Sequence, residues 1–156
     1  MSEKNFISIL TPTYNEEENI LKICEAISKQ MKKLDYSYEH IIIDNCSTDS
    51  TLSILKGLAL KDKNLKIIVN SRNFGHIKSP IYGLTQCKGN ACILLAADFQ
   101  DPVELIPKYI KEWKNGYDIV LAQKESSDEN FIMHNLKKTF YRFINLISEI
   151  NFLIDE

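Results

Sequence analysis

Along the chain, short runs of apolar, mostly β-branched residues alternate with longer stretches whose apolar positions recur at helical spacing. Phe6–Leu10, Glu39–Asp44, Leu65–Asn70, Ala91–Ala97 and Asp118–Gln123 read as strands. Helically patterned segments of ten or more residues lie between them. That alternation predicts an α/β fold, a mainly parallel twisted sheet with helices on both faces. The runs IIIDN and ACILLAAD are almost continuously apolar, as strands covered on both faces are.

Polar punctuation marks the helix ends. Asn15 is placed to cap a helix over 16–33, whose first turn would carry Glu16, Glu17 and Glu18 at the positive end of its dipole. Ser47 or Thr48 is placed to cap the next helix, ending near Lys61. A third is expected from about His76 to Cys87, stopped by Lys88-Gly89. Pro102, tolerated in a first turn, opens a fourth that runs to about Asn115-Gly116. The polar cluster at 125–130 reads as a loop between a core, 1–124, and a tail, 131–156. In the tail, Phe131, Leu136, Phe140, Phe143, Ile144, Ile147 and Ile150 recur at helical spacing with Lys137, Lys138 and Arg142 among them. The pattern predicts an amphipathic helix. It packs on its own domain or a partner copy, or it lies on a membrane surface.

Composition narrows the class. A compact chain of 156 residues makes one ordinary domain and buries roughly 68–70% of its unfolded surface. With 44% hydrophobic and 26% charged residues it is not of the disordered type. A net charge of −2, with both signs mixed along the chain, provides no broad basic field, so no nucleic-acid partner is expected. Cys24, Cys46, Cys87 and Cys92 form no CxxC pair and no spacing to histidine that suggests zinc; they read as reduced thiols of a cytosolic protein. The apolar run Phe6 to Leu10, broken by Ser8, is too short for a secretory signal. No apolar stretch approaches the roughly 20 residues that cross a bilayer, so any membrane contact is expected to be peripheral or to lie in a segment outside this chain.

Ligands of open α/β sheets bind beyond the carboxyl ends of the strands, so the strand-end turns carry the chemical information. They read Thr11-Pro12-Thr13-Tyr14-Asn15-Glu16, Asp44-Asn45-Cys46-Ser47-Thr48-Asp49, Ser71-Arg72-Asn73-Phe74-Gly75 and Asp98-Phe99-Gln100-Asp101. GHIKSPIYG lacks P-loop spacing and no GxGxxG follows the first strand, which removes the usual support for ATPase and dinucleotide readings. His40, His76 and His134 are scattered and form no ligand spacing, and no GxSxG nucleophile motif occurs.

Five ordered stretches, TPTYNEEENI, IIIDNCSTDST, NSRNFGHIKSPIYGL, LLAADFQDPVELIP and NGYDIVLAQK, closely resemble the family 2 glycosyltransferases of GT-A, Rossmann-like fold. The resemblance is greatest to the branch of dolichol- and polyprenyl-phosphate sugar transferases and covers about residues 6–124. It implies a nucleotide-diphosphate sugar donor, with Asp44 accepting an N–H of the base and Pro12, Tyr14 and Glu16 in the same pocket. UDP-sugar is the first expectation, because the Asp44 contact fits uracil; the same pocket also serves GDP-sugars in the family. Asn45 stands where the family has a second acid. Asp44 can equally organise a capping turn, and Tyr14 can be an ordinary turn aromatic. Asn73 and Gly75 precede a helix whose amide end would face the phosphates, and Lys124 falls where the family places an arginine near them. Arg72, His76 and Lys78 read either as further positive charge or as solvated helix-start residues.

AADFQD stands where the family has its DxD motif, which holds Mn²⁺ or Mg²⁺ against the departing diphosphate. Ala96 replaces the first acid, Asp98 is kept, and Gln100 is the second expected metal ligand. Asp101, before Pro102, reads as a helix cap in preference to a ligand. The resemblance further implies an inverting displacement onto an acceptor, polyprenyl phosphate first, deprotonated by a carboxylate base. No GDFRL-like stretch follows Asn145, so the base and the acceptor-side half are expected to lie outside this chain. A cytoplasmic protein, peripheral at the inner face of a membrane, is expected, with dimerisation through the tail. The competing reading is a nucleotide-sugar-binding or dimerisation module without transferase activity. A nucleotidyltransferase would show a glycine- and basic-rich first turn, which TPTYNEE is not.

Overall fold

The computed structural model describes residues 6–122 together with 139, 140 and 144. Four strands, β1 (Phe6–Thr13), β2 (Ser37–Asp44), β3 (Leu65–Val69) and β4 (Ala91–Leu94), form one sheet in the order β3-β2-β1-β4 among the described residues. All three pairings are parallel. Each return therefore needs a crossover, supplied by α1 (Ile20–Met31), α2 (Thr51–Ala59) and α3 (Gly75–Gln86). A 3₁₀ turn, Val103–Leu105, leads into α4 (Ile106–Lys114).

Strand periodicity divides the core. Ile7, Ile9, Ile42, Leu65 and Ile93 face α1, α2 and α4, where Ile20, Ile23, Ile27 and Met31 supply the buried stripe of α1. Leu10, Ile41 and Ile43 face the other way, toward α3, with Ile68 and Cys87 packed against them. Helices thus cover both faces, as the continuous apolar runs predict. The α3 face is closely packed: a Cβ on Gly83 would lie 2.7 Å from Cδ1 of Leu10.

Several boundaries differ from the sequence expectation, each for a local reason. β1 runs on to Thr13 because Thr11, Pro12 and Thr13 pair with Ile42, Ile43 and Asp44. α1 begins at Ile20 and carries no acid in its first turn. Glu16 to Asn19 form a turn instead, with the carbonyl of Glu16 accepting from the N–H groups of Asn19 and Ile20. α2 starts at Thr51, whose N–H donates to Oδ1 of Asp49, so Asp49 takes the role expected of Ser47 or Thr48. Asp101 makes no side-chain hydrogen bond to the helix it precedes; the 3₁₀ turn opens at Pro102 without a side-chain cap. Gly116, at φ +103°, ends α4 as a left-handed stop residue.

The expected strand 118–123 is not formed over its described part, 118–122. Alternation alone cannot make a strand without a sheet edge to pair with. Among the described residues β4 pairs only with β1, leaving Ile119 and Leu121 78% and 86% exposed. By contacts the chain divides into Met1–Val120 and Leu121–Glu156, and the first unit holds every element named above. In the second, Thr139, Phe140 and Ile144 are helical. The rest of the expected tail helix, the loop at 125–130 and Lys124 lie outside the described residues.

Candidate functional site

The carboxyl ends of the strands are joined by a dense polar seam. Asn15, in the left-handed region at φ 54°, donates its N–H to Oγ of Ser47 (2.9 Å) and accepts the N–H of Thr48 through Oδ1 (2.8 Å). The N–H of Glu16 donates to Oγ1 of Thr51 (2.8 Å), and the carboxylate of Glu17 accepts the N–H of Ser50 (2.9 Å). Of the acids expected to complement a helix dipole, Glu17 through its carboxylate and Glu16 through its backbone N–H therefore hold the β1 turn to the β2 turn.

Asn45 ties the second turn to the third. Its Oδ1 accepts from Nδ2 of Asn70 (3.0 Å) and from the N–H of Phe74 (2.9 Å). Its Nδ2 donates to Oδ1 of Asn73 (2.9 Å) and to the carbonyl of Gly75 (3.2 Å). A carboxylate could do only the accepting half, so the amide in place of the second acid has a structural use. Gly75, at φ +82°, then opens α3. Asn15, Cys46 and Phe99 are the non-glycine residues with positive φ among those described, one in each of three strand-end turns. Backbone held in that region costs on the order of 1 kcal/mol or more and gathers where function constrains geometry.

These turns enclose a cleft of about 560 Å³, within the range of small-ligand sites. Of the residues singled out in the sequence it brings together Pro12, Tyr14 and Glu16, then Asn73, Gly75 and His76, then Asp98. Thr13, Asn45, Ser79, Pro80, Ala96 and Asp101 also line it and were not expected there as ligand contacts. Ser79 is legible only once α3 is seen to present its first two turns to the cleft. Gln100 does not line the cleft; its N–H donates to Oδ1 of Asp98 (3.2 Å).

Asp44 lies beneath the surface rather than on it. It is fully buried, its Oδ2 accepts the N–H of Ser47 (3.1 Å), and its Oδ1 has no partner. Thr13, its register partner in β1, lines the cleft and has a buried Oγ1 that is also unpartnered. An unmade buried hydrogen bond costs about 1–3 kcal/mol. Asp44 itself does not line the cleft; its register pairing with Thr13 sets the two unmade bonds on neighbouring strand ends.

The charge of the lining is acidic. Glu16, Asp98 and Asp101 contribute carboxylates and no lysine or arginine lines the cleft. Arg72 turns its guanidinium over the Phe74 ring, 4.8 Å from the centroid. No group of three or more His, Cys, Asp or Glu able to hold a metal forms among the described residues. A hard cation with one or two carboxylates, completed by phosphate and water oxygens, fits this donor set; an all-protein cage does not.

The family model described as glycosyl transferase family 2 matches residues 8–153. The chain is 36% identical over 149 residues to the putative glycosyltransferase CsbB of Bacillus subtilis, covering 96% of this chain and 45% of that protein. It is 34% identical over 143 residues to the bactoprenol glucosyl transferase of Shigella phage SfV, covering 91% and 47%. It spans about half the length of these relatives. Among solved structures, S. aureus TarS in complex with UDP-GlcNAc superposes with a TM-score of 0.55 at 24% identity, over 79% of this chain and 38% of that one. The likeness places the sheet and its helices in the GT-A fold.

Proposed function

Because the chain belongs to glycosyl transferase family 2, we propose that the cleft at its strand ends holds the nucleotide-sugar donor of a glycosyltransferase. The observation that carries this is the pair of unpartnered buried oxygens, Asp44 Oδ1 and Thr13 Oγ1, at the base of an otherwise hydrogen-bonded seam. A uracil ring offers an imide N–H to the carboxylate and a carbonyl to the hydroxyl, so UDP-sugar is the donor we favour. Tyr14 and Pro12 supply the flanking surface for the ring.

The diphosphate would lie toward α3 and the β4 turn. The first-turn amides of α3 point a positive dipole end at it. With three carboxylates and no lysine or arginine in the lining, where His76 is the one imidazole, a dianionic diphosphate needs a counter-ion. Asp98, with Asp101 beside it, would hold Mn²⁺ or Mg²⁺. The ion would neutralise the charge that develops on the leaving nucleoside diphosphate. Asp98, Gly75 and the α3 amides orient the donor, and the seam of Asn15, Asn45 and Asp49 keeps the turns in place while it binds.

A lipid-phosphate acceptor, polyprenyl phosphate first, is the acceptor we favour, on the strength of the relative named for bactoprenol. The transfer would then occur at a membrane surface, with the protein peripheral to it; no described helix is long and apolar enough to cross. The base that deprotonates the acceptor is assigned to no described residue, and donor binding is the step the described residues test.

Titration calorimetry with UDP, UDP-sugars and GDP, with and without Mn²⁺, tests the proposal. Metal-dependent UDP binding that is lost in Asp98→Ala and weakened in Asp44→Asn supports it. Binding that ignores both the metal and Asp98 sinks it.

A further inference from the structure

In the sequence CKGNAC, the end of α3 and the start of β4 are joined by a turn that is pinned at every step. The N–H of Lys88 donates to Oε1 of the buried Glu39 (2.7 Å), that of Gly89 to Oγ of Ser8 (2.8 Å), and that of Asn90 to the carbonyl of Phe6 (2.7 Å). Gly89 is pressed onto β1 so closely that a Cβ there would stand 2.4 Å from the Ser8 nitrogen. This frame leaves Sγ of Cys87 and Sγ of Cys92 3.2 Å apart, both thiols free. Two sulfurs at that separation need to approach by only about 1.2 Å to reach bonding distance. Cys92 is exposed and Cys87 half-buried, so an oxidant reaches the pair from solvent.

We propose that Cys87 and Cys92 form a reversible disulfide that staples the end of α3 to β4. The oxidant is a small-molecule disulfide such as oxidised glutathione. The Cys87 thiolate attacks one of its sulfurs, forming a mixed disulfide and releasing one glutathione. The Cys92 thiolate then attacks the Cys87 sulfur and releases the second. Two protein thiols become one disulfide, the reagent is reduced to two glutathione molecules, and the two protons pass to them. Partial desolvation and the contact with Cys87 push the Cys92 thiol up, so the exchange runs faster at alkaline pH.

The staple has a consequence for the cleft, independent of which ligand occupies it. The first turns of α3 supply Gly75, Ser79 and Pro80 to one wall, and the end of β4 with the chain leaving it supplies Leu94, Ala96 and Asp98 to the other. The bond joins the far ends of the two elements that carry these walls, and the oxidised protein holds them together more rigidly.

The whole chain is incubated with oxidised glutathione at mildly alkaline pH, then read by intact mass, thiol titration and thermal unfolding. The expected result is a loss of two hydrogens in mass and of two titratable thiols. A rise of a few degrees in the thermal midpoint accompanies it, and dithiothreitol reverses both. Cys24→Ser and Cys46→Ser leave this unchanged, whereas Cys87→Ser and Cys92→Ser abolish the internal bond and accumulate a glutathione adduct on the remaining partner. Stable glutathione adducts on both cysteines of the unaltered chain overturn the proposal. So does a bond that lowers the midpoint, which would show that the turn must distort to form it.

Discussion

Asn45 illustrates how much one side chain contributes at this edge of the sheet. Its amide both donates and accepts, spanning Asn70, Asn73, Phe74 and Gly75. At about 1 kcal/mol per bond net, Asn45→Ala is expected to lose roughly 4 kcal/mol of stability, read as a lower urea midpoint. Asn45→Asp, which keeps the acceptor role and loses the donor, should fall between the two. A variant as stable as the parent would mean that the third turn is held by something else. His40 belongs to the same scale but works through pH. It is buried with Nε2 against Oγ1 of Thr11, and desolvation, opposed by Asp62, lowers its pKa from 6.5 to about 4. The unfolded chain therefore takes up a proton that the folded one refuses. Stability is intact above pH 6.5, declines as pH falls through the window, and levels off below about 4. The full loss is about 3 kcal/mol. Urea unfolding at stepped pH should show that slope in the parent and not in His40→Asn.

At the scale of elements, what was legible followed from periodicity, and what was not followed from pairing. Four strands and four helices stand where alternating β-branched runs and 3.6-residue spacing put them, and Gly116 stops α4 as its position announced. The misplaced features share a cause: polar side chains near strand ends have many possible partners, and only the fold selects among them. Glu16 and Glu17 looked like first-turn acids, yet they fasten one turn to another. Asp101 read as a helix cap, yet it lines the same cleft as Asp98. The strand expected at 118–123 needed a neighbour that local sequence cannot supply. Glycines make a sharper test. Gly89→Ala drives a methyl into β1 backbone and should cost about 2 kcal/mol or more. Gly57, inside α2 with nothing within 4 Å, should instead gain roughly 0.7 kcal/mol as alanine. Paired thermal melts of the two variants check the contrast. Equal effects would contradict the close approach at Gly89.

For the molecule as a whole, the cleft's charge connects fold to function. Glu16, Asp98 and Asp101 repel a diphosphate, and the positive end of α3 alone offsets only about half a charge. A divalent cation reverses that balance, so on the donor-site reading UDP affinity should fall at least tenfold when Mn²⁺ is chelated, about 1.4 kcal/mol. Ala96 gives this argument a second lever. It lines the cleft two residues before Asp98, in the position where a further carboxylate would face the same ion. Ala96→Asp should make binding without metal weaker, through added repulsion, and binding with metal tighter by about tenfold. The two changes have opposite signs, so a general loss of folding cannot imitate them. If Ala96→Asp weakens UDP equally in both conditions, the ion does not sit between Asp98 and the diphosphate. The acidic wall would then need another explanation.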